Sequence, residues 1–243
     1  EFKNLSFKYP GTEKYILKNV SFKILKDKNY AFVGANGAGK STIIKLINGL
    51  YKQYEGEILV NGRDIQEYDR EFIGNIFQDF ARYPLTIREN ISIARKDTLS
   101  ENEVEKVLKK VGLETTVSRL ADGIETVLGK TRKNSIDISG GEWQKVALAR
   151  CDIMNTPVKI LDEPTSAMDP IYESKLYKRF KEMSICKTMI LISHRLASVQ
   201  MADTIYVLDD GTIAEQGSHI ELLNRGGLYA KMYNEQAKWY LEE

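Results

Sequence analysis

Residues 34–42 read GANGAGKST, and this stretch decides the fold. An apolar, β-prone run at residues 30–33 precedes it, and residues 42–47 carry the apolar spacing of a helix, so the glycines lie where a strand turns into a helix. Glycine is needed there because the backbone must pass close to phosphate oxygens and aim successive N–H groups at them. The helix that follows adds the positive end of its dipole. The stretch therefore predicts a nucleoside triphosphate site.

Two side chains in this loop have predicted roles of their own. Lys40 reaches the β- and γ-phosphates as a point charge, and the Ser41 hydroxyl can bind Mg²⁺. The alternative is a glycine-rich turn with an unrelated lysine, and the full spacing argues against it. The loop does not choose among kinases, GTPases, motors and transport ATPases. The predicted nucleotide-binding residues of the loop are Gly34, Ala35, Asn36, Gly37, Ala38, Gly39, Lys40, Ser41 and Thr42.

A pair of acids follows a second apolar run. Residues 158–161 read VKIL, typical of a buried strand, and Asp162 and Glu163 come directly after it. Ligands of α/β proteins bind at the carboxyl edge of the sheet, where such a pair would lie. Adjacent acids on a loop are usually only solvated. In this context we expect Asp162 to hold Mg²⁺ through water and Glu163 to polarise the attacking water.

A third motif is ISGGE at residues 138–142. Ser139 and Glu142 have capping-box spacing, so the motif has a purely structural interpretation as the start of a helix. Gly140 and Gly141 are unusual in a first helical turn, because glycine lowers helix stability, unless the backbone must approach something closely. A helix N-terminus with bare N–H groups suits a γ-phosphate.

Composition limits the classes of partner. The chain has 243 residues, with 35 lysines and arginines against 34 acidic residues, and this balance lacks the basic excess of a nucleic-acid-binding protein. Cys151 and Cys186 lack metal-ligand spacing and are expected to be buried, reduced thiols. No apolar run approaches the length of a membrane span. The chain begins at Glu1 without a methionine, so we expect an upstream segment.

The order of patterns predicts an α/β fold with no internal repeats. Residues 1 to about 30 alternate as β-strands, Asn61-Gly62 is a hairpin signal, and an amphipathic helix with apolar residues 104, 107, 108 and 111 starts after a Ser100 capping box. We expect one domain over residues 1–243, in which an N-terminal antiparallel β subdomain and a mixed-sheet core occupy 1–84 and 156–243. A helical subdomain is inserted at about 85–155.

Together these motifs closely resemble the ATP-binding cassette family over essentially the whole chain. The resemblance implies a core of the RecA-like P-loop type. It also implies that Tyr9 stacks on adenine, that Gln78 touches Mg²⁺ and water, and that His194 contacts the γ-phosphate. Residues 139–142 match the family's signature loop, and residues 166–169 match the loop that joins two active sites.

Finer details resemble exporters. These are LTIRENI at residues 85–91, SHRL at residues 193–196, and an ending with a stripe formed by Tyr229, Met232, Tyr233 and Tyr240. The resemblance implies an ATPase that works as a head-to-tail dimer on the cytoplasmic face of a bacterial plasma membrane, with ATP and Mg²⁺. Its other partner would be exporter transmembrane domains encoded upstream. The implied roles are catalysis by Glu163, His194, Gln78 and Lys40, metal binding by Ser41, Gln78 and Asp162, and nucleotide binding by Tyr9, residues 34–42, Ser139, Gly140, Gly141 and Glu142.

Several positions depart from the family or have a simpler interpretation. Glu142 stands where the signature usually has glutamine, and its charge is expected to repel triphosphate slightly. Lys130, with Arg132 and Lys133, reverses the charge that exporters usually carry there, and is either a solvated basic face or a coupling contact to an acidic loop. We expect His219 to be an exposed residue in a first helical turn.

Two other functions stay open at this stage. A soluble cassette acting on nucleic acid or ribosomes would carry long coiled coils or two cassettes, and neither is present. A non-hydrolysing regulatory module is expected to have lost the base, whereas Glu163 and His194 are intact. The cargo of an exporter is chosen in membrane segments, so a peptide or a small hydrophobic compound is inferred only from the resemblance.

Overall fold

A computed structural model describes residues 1–93, 95, 97, 99–130, 134–164 and 187–239. The chain divides into two compact units. The first comprises Glu1–Ile73, Pro157–Asp162 and Cys186–Glu243, and the second comprises Gly74–Thr156 and Glu163–Ile185. The helical subdomain expected from the sequence begins at about residue 85, and the second unit begins at Gly74.

The described residues form both strands and helices. The strands are β1 (Phe2–Lys8), β2 (Tyr15–Phe22), β3 (Asn29–Gly34), β4 (Glu55–Val60), β5 (Arg63–Asp64), β6 (Ile73–Ile76), β7 (Val158–Asp162), β8 (Thr188–Ile192), β9 (Thr204–Asp209) and β10 (Thr212–Gly217). The α-helices are α1 (Lys40–Ile47), α2 (Ile87–Ser92), α3 (Glu101–Val111), α4 (Glu114–Val117), α5 (Gly140–Ile153), α6 (Leu196–Val199), α7 (His219–Arg225) and α8 (Leu228–Trp239). The α/β fold class is therefore confirmed.

The first unit contains the predicted antiparallel sheet, in the order β2-β1-β4-β5. The hairpin between β4 and β5 forms at the predicted Asn61-Gly62 turn, where Val60 pairs with Arg63. Both turn residues have positive φ, 51° at Asn61 and 82° at Gly62, as a type I′ turn requires. Local turn chemistry thus fixes the register of this edge.

A second sheet contains the strand that leads into the glycine-rich loop. The first unit contributes five strands to it in the order β10-β9-β3-β8-β7. β3 runs parallel to both β8 and β9, and β7 runs parallel to β8, while β9 and β10 form an antiparallel hairpin. Ile192 pairs with Phe32 on one side and with Asp162 on the other. The carboxyl ends of β3, β8 and β7 therefore lie at one edge of the sheet.

The core of the first unit is rich in aromatic residues. Phe22, Phe32 and Tyr206 are all buried, and their ring centroids lie 5.2 to 5.3 Å apart. Burying each such side chain contributes about 1.5–3 kcal/mol to stability relative to leaving it exposed. This packing holds β3 in place, and β3 in turn positions the glycine-rich loop that follows it.

The second unit is mainly helical. The predicted stripe of α3 is buried at residues 104, 107, 108 and 111, and Ser100 caps the helix with Glu103 in a capping box. The unit also contains extended pairs, in which Thr86 bridges to Val127 and Leu128 bridges to Ile136. The sequence pattern did not predict these, because single bridges lack the alternating stretch that marks a strand.

The expectation about the two cysteines is tested at one of them. Cys151 is fully buried in α5, as predicted, and Cys186 lies outside the described residues. Trp143 is also buried, and its indole N–H donates to Asp137 at 2.9 Å.

Within the described ranges, none of the helices has both the length and the apolar character needed to cross a membrane.

Candidate functional site

The glycine-rich loop begins with a residue that admits no side chain. Gly34 ends β3 with φ of 145°, and a Cβ placed there would lie 2.2 Å from the backbone carbonyl oxygen of Leu208 in β9. Beyond this contact the residues Ala35, Asn36 and Gly37 are exposed. The loop is therefore anchored on the sheet at its start and open to solvent along its middle.

The N-terminus of α1 is arranged to hold an anion. Gly39 is its N-cap residue, no side chain caps its N–H groups, and its first turn contains no acidic residue. Lys40 is 5% exposed, and its ammonium donates to the carbonyl oxygens of Gly34 at 2.7 Å and Ala35 at 2.9 Å. A positive charge, a helix dipole and exposed loop N–H groups thus converge where the sequence predicted phosphates.

Two predicted residues lie at the same sheet edge as this loop. Asp162 ends β7 and is 6% exposed, and His194 follows β8 with an exposed side chain. The register of Phe32, Ile192 and Asp162 sets their backbones side by side. The parallel sheet therefore brings the loop, Asp162 and His194 to one edge, where α/β proteins bind ligands.

The donors near the loop fit Mg²⁺. Ser41 presents an exposed hydroxyl in the first turn of α1, and Asp162 presents a carboxylate. Mg²⁺ prefers oxygen ligands and is usually bound by one or two protein groups together with substrate phosphates and water. Among the described residues no group of three or more His, Cys, Asp or Glu side chains could hold a metal ion. Such sparse oxygen donors suit a metal that arrives with a nucleotide.

Tyr9 lies beside the loop's helix. Its hydroxyl hydrogen-bonds with the Thr42 hydroxyl at 2.9 Å, and the Lys45 ammonium lies 5.5 Å from its ring centroid. Tyr51 packs edge-on against the same ring at 5.2 Å. A cavity of about 650 Å³ is lined partly by Tyr9, Tyr51 and Tyr54. The structure therefore places an aromatic face next to the end of the glycine-rich loop.

The signature residues start helix α5 in the second unit. Ser139 is the N-cap, its hydroxyl accepts from the Glu142 N–H at 3.3 Å, and a Glu142 carboxylate oxygen accepts from the Ser139 N–H at 2.9 Å. The capping box is therefore real, and Gly140 and Gly141 occupy the first turn. Apart from its chain neighbours and its own helix backbone, a Cβ added at Gly140 would meet no described residue within 4 Å.

The second carboxylate oxygen of Glu142 has partners that the sequence did not reveal. The Thr116 hydroxyl donates to it at 2.7 Å and the Arg119 guanidinium at 2.6 Å. Burial raises the pKa of Glu142, but the hydrogen bonds from Thr116 and Ser139 and the charge of Arg119 outweigh burial, so the pKa is lowered overall. The negative charge of Glu142, which has no evident partner in the sequence, is thus compensated within the second unit.

Glu163 has an unusual backbone. Its φ is 50°, in the left-handed region that a non-glycine residue rarely occupies, and such residues concentrate at functional sites. Gln144, which is 2% exposed on α5, donates to the Glu163 carbonyl oxygen at 3.4 Å. Sequence reasoning missed Gln144, because a single glutamine inside a helix carries no signal.

Gln78 is exposed between β6 and α2. The chain beyond it is held by Arg150 of α5, whose guanidinium donates to the carbonyl oxygens of Ala81 at 2.6 Å and Asn90 at 2.9 Å and lies 4.8 Å from the Tyr83 ring centroid. Arg150 was also missed, because its partners are distant in sequence. It ties the segment after Gln78 to the helix that the signature starts.

The structure bears differently on the remaining predicted positions. His219 begins α7 as expected, but it is half-buried rather than exposed, because its Nδ1 hydrogen-bonds with the Tyr229 hydroxyl at 2.8 Å and its ring packs on Tyr229 and Tyr233. Lys130 is exposed and pairs with Asp137 at 3.5 Å. Arg132, Lys133, Tyr240 and residues 166–169 lie outside the described residues.

Comparison with known proteins decides the family. A family model described as "ABC transporter" matches residues 17–166, more than half of the chain. The chain belongs to the ABC transporter family. As an ABC domain it binds ATP and is an ATPase.

Relatives of this ABC domain are themselves transport proteins. The chain is 42% identical over 236 residues to "Subtilin transport ATP-binding protein SpaT" of Bacillus subtilis, covering 95% of this chain and 38% of SpaT. It is 36% identical over 240 residues to "ATP-dependent lipid A-core flippase" of Escherichia coli K12, covering 97% of this chain and 41% of the flippase.

A solved structure has the same fold over the length of this domain. The ABC domain matches "Structure of a bacterial Atm1-family ABC exporter with ATP bound" with a TM-score of 0.89 and 38% identity, covering 97% of this chain and 41% of that chain. The chain thus spans about two fifths of the length of the relatives it matches.

Proposed function

We propose that this ABC domain hydrolyses Mg²⁺-ATP as one half of a head-to-tail dimer and so drives export through membrane-spanning domains. The observation that carries the proposal is Gly140. This residue lies inside a helical turn, where glycine lowers stability by about 0.5–1 kcal/mol relative to alanine. Apart from its chain neighbours and its own helix backbone, no described residue lies within 4 Å of a Cβ placed there. This supports a ligand or partner that approaches the backbone at Gly140.

A nucleotide held by a second copy is such a partner. The N-terminus of α5 presents its N–H groups at Gly140, and helix N-termini bind phosphate. In the proposed dimer, the glycine-rich loop of one subunit and the signature of the other enclose the same ATP. Each chain then contributes Lys40 to one nucleotide and Ser139, Gly140, Gly141 and Glu142 to the other.

We assign the binding roles to the residues that the sequence motifs predicted. The N–H groups of residues 34–42 and the Lys40 ammonium hold the β- and γ-phosphates, and Tyr9 offers its ring to the base. Ser41, Asp162 and Gln78 would hold Mg²⁺. When bound, Mg²⁺ neutralises charge on the β- and γ-phosphate oxygens.

The hydrolytic roles fall to Glu163 and His194. Glu163 accepts a proton from the water that attacks the γ-phosphorus, the bond from that phosphorus to the bridging oxygen breaks, and ADP leaves with the electron pair. His194 orients the γ-phosphate from the carboxyl end of β8. The left-handed backbone of Glu163 supports a functional role, because such strain persists where it serves the site.

The cargo and location are inferred from relatives. The names of the relatives describe subtilin transport and lipid A-core flipping, so a peptide is the substrate class that we propose on the basis of SpaT. The domain would lie at the cytoplasmic face of a bacterial plasma membrane, beside transmembrane domains of the same polypeptide.

A mixing experiment tests the shared site. Lys40→Ala removes the phosphate lysine from both sites of a dimer, and Ser139→Arg blocks the signature in both, so each variant alone should be inactive. A mixed dimer keeps one site with both parts intact, and equal mixing should restore about a quarter of wild-type ATP turnover. If both parts served one nucleotide within a single chain, the mixture would stay inactive.

A further inference from the structure

One face of the C-terminal helix α8 makes polar contacts along its length. Tyr229 hydrogen-bonds with His219, Tyr233 accepts a hydrogen bond from Gln200 at 2.8 Å, and Gln236 contacts the segment after β8. These three residues have the spacing of one helix face. The helix is therefore docked at three points, and the last of them lies next to His194.

The Gln236 amide spans the backbone around His194. Its oxygen accepts from the Leu196 N–H at 2.9 Å, and its nitrogen donates to the His194 carbonyl oxygen. One side chain thus binds a donor and an acceptor two residues apart, as a neighbouring strand would do. Both partners are backbone groups, so the contact does not depend on the His194 side chain.

The Leu196 N–H needs an external partner. Leu196 starts the one-turn helix α6, whose N-cap residue Arg195 supplies no side-chain cap. The first N–H groups of a helix have no intrahelical partner, so the Gln236 oxygen satisfies a group that would otherwise lack one. On the other side, the Ser193 hydroxyl accepts from the Arg195 N–H at 3.0 Å. The backbone on both sides of His194 is therefore fixed.

We propose that Gln236 is a positioning residue for His194 in ATP hydrolysis. The His194 side chain is exposed, and the position of its backbone fixes the point from which the ring extends. Gln236 fixes that backbone and makes α8 part of the hydrolytic apparatus. This inference rests on the proposed function, in which His194 orients the γ-phosphate.

Gln236→Ala should lower kcat and leave KM almost unchanged. A misplacement of about 1 Å can lower a rate by up to ~100-fold, and we expect a loss of about 10-fold because His194 itself remains. The loop and Lys40 are untouched, so KM for ATP should stay within about 2-fold of wild type. Gln236→Glu keeps the acceptor for Leu196 but sets a carboxylate against the His194 carbonyl, and should resemble Gln236→Ala.

Gln200→Ala is the matched control. It removes another polar contact of α8, the one to Tyr233, without touching the His194 segment. It should shift thermal stability about as much as Gln236→Ala does, with wild-type kcat. If the two variants lost kcat equally, the role of Gln236 would be only to anchor the helix, and the proposal would be overturned.

The His194→Ala background separates this inference from the proposed function. There, Gln236→Ala should cause no further loss of kcat, and a full additional loss would show that Gln236 acts elsewhere. If wild type turns over ATP and His194→Ala lowers the rate while Gln236→Ala does not, only this inference fails. Failure of the mixing experiment would overturn the dimer alone.

An NMR measurement that does not depend on ATP turnover provides a second test. The chain has two histidines, so the ring protons of His194 can be resolved by NMR. In Gln236→Ala we expect the His194 signals to shift or broaden and the Leu196 amide to exchange faster, with neither change in Gln200→Ala. Unchanged His194 signals and Leu196 exchange would contradict the proposal.

Discussion

The Arg119 guanidinium lies 2.6 Å from a Glu142 carboxylate oxygen and links the segment after helix α4 to the first turn of α5. Arg119 is 69% exposed in its side chain and Glu142 only 17%. Exposed ion pairs contribute at most about 1 kcal/mol to folding. The importance of this pair is therefore electrostatic, because the positive charge of Arg119 offsets the negative charge of Glu142, the last residue of the signature.

Arg119→Ala should weaken the ATP-bound dimer. Removing the guanidinium leaves the Glu142 carboxylate uncompensated near the proposed triphosphate of the other subunit, and we expect dimer affinity to fall about 2- to 5-fold. Sedimentation of the ATP-bound protein at low and high salt measures this, and the effect should shrink as salt rises.

Glu142→Gln should have the opposite effect. Glutamine can preserve the capping box, so the fold is retained, and the lost negative charge should tighten the ATP-bound dimer. The double variant Arg119→Ala/Glu142→Gln should return close to wild type. Weaker association of Glu142→Gln would contradict this charge argument.

Gly140→Ala should change stability and activity in opposite directions. The added methyl meets no other part of the described chain within 4 Å, so we expect the thermal midpoint to rise, with a gain of about 0.5–1 kcal/mol in the free energy of unfolding. ATP turnover should fall, because the methyl would occupy space needed by the nucleotide of the partner subunit. Gly34→Ala is the contrasting variant, since its methyl would overlap the Leu208 carbonyl and should destabilise the fold. Full activity in Gly140→Ala would argue against close backbone approach.

Glu163→Gln should abolish hydrolysis and retain ATP binding. The amide cannot accept the proton from water, so turnover should fall at least about 100-fold. The ATP-bound dimer should then persist long enough to separate by gel filtration. Unaltered turnover would exclude Glu163 as the base.

The stability of the chain should decrease through His219 as the pH falls below neutrality. Burial lowers the pKa of His219 below its ordinary value of 6.5, so the unfolded chain binds the proton more readily than the folded chain. The contribution is present above pH 6.5 and is lost as the pH falls through the folded pKa. His219→Phe keeps a ring against Tyr229 and Tyr233 and should flatten the dependence of the melting temperature on pH. The same slope in wild type and variant would assign it to other groups.

Much of the fold was predictable because its signals are local. The Asn61-Gly62 turn, the Ser100 capping box and the strand before Gly34 each depend on residues that are close in sequence, and each forms as expected. The capping box at Ser139 is equally local, although the same residues belong to the family signature.

The missed contacts join residues that are far apart in sequence. Arg119 and Glu142 are 23 positions apart, and Gln236 and His194 are 42 apart. Only the packing of helices brings such pairs together, and one sequence contains no record of that packing. His219 was wrongly expected to be exposed for the same reason, since its burial depends on α8.

The contact between Gly34 and Leu208 bears on when the nucleotide site can form during synthesis. Strand β3 has β8 and β9 as its two neighbours, and both come from residues after 187. Contacts this distant in sequence close late. A nascent or truncated chain that ends before β8 therefore contains the glycine-rich sequence but lacks the sheet that holds it. Such a chain should not bind an ATP resin. Retention on the resin would therefore show that translation of the domain is complete.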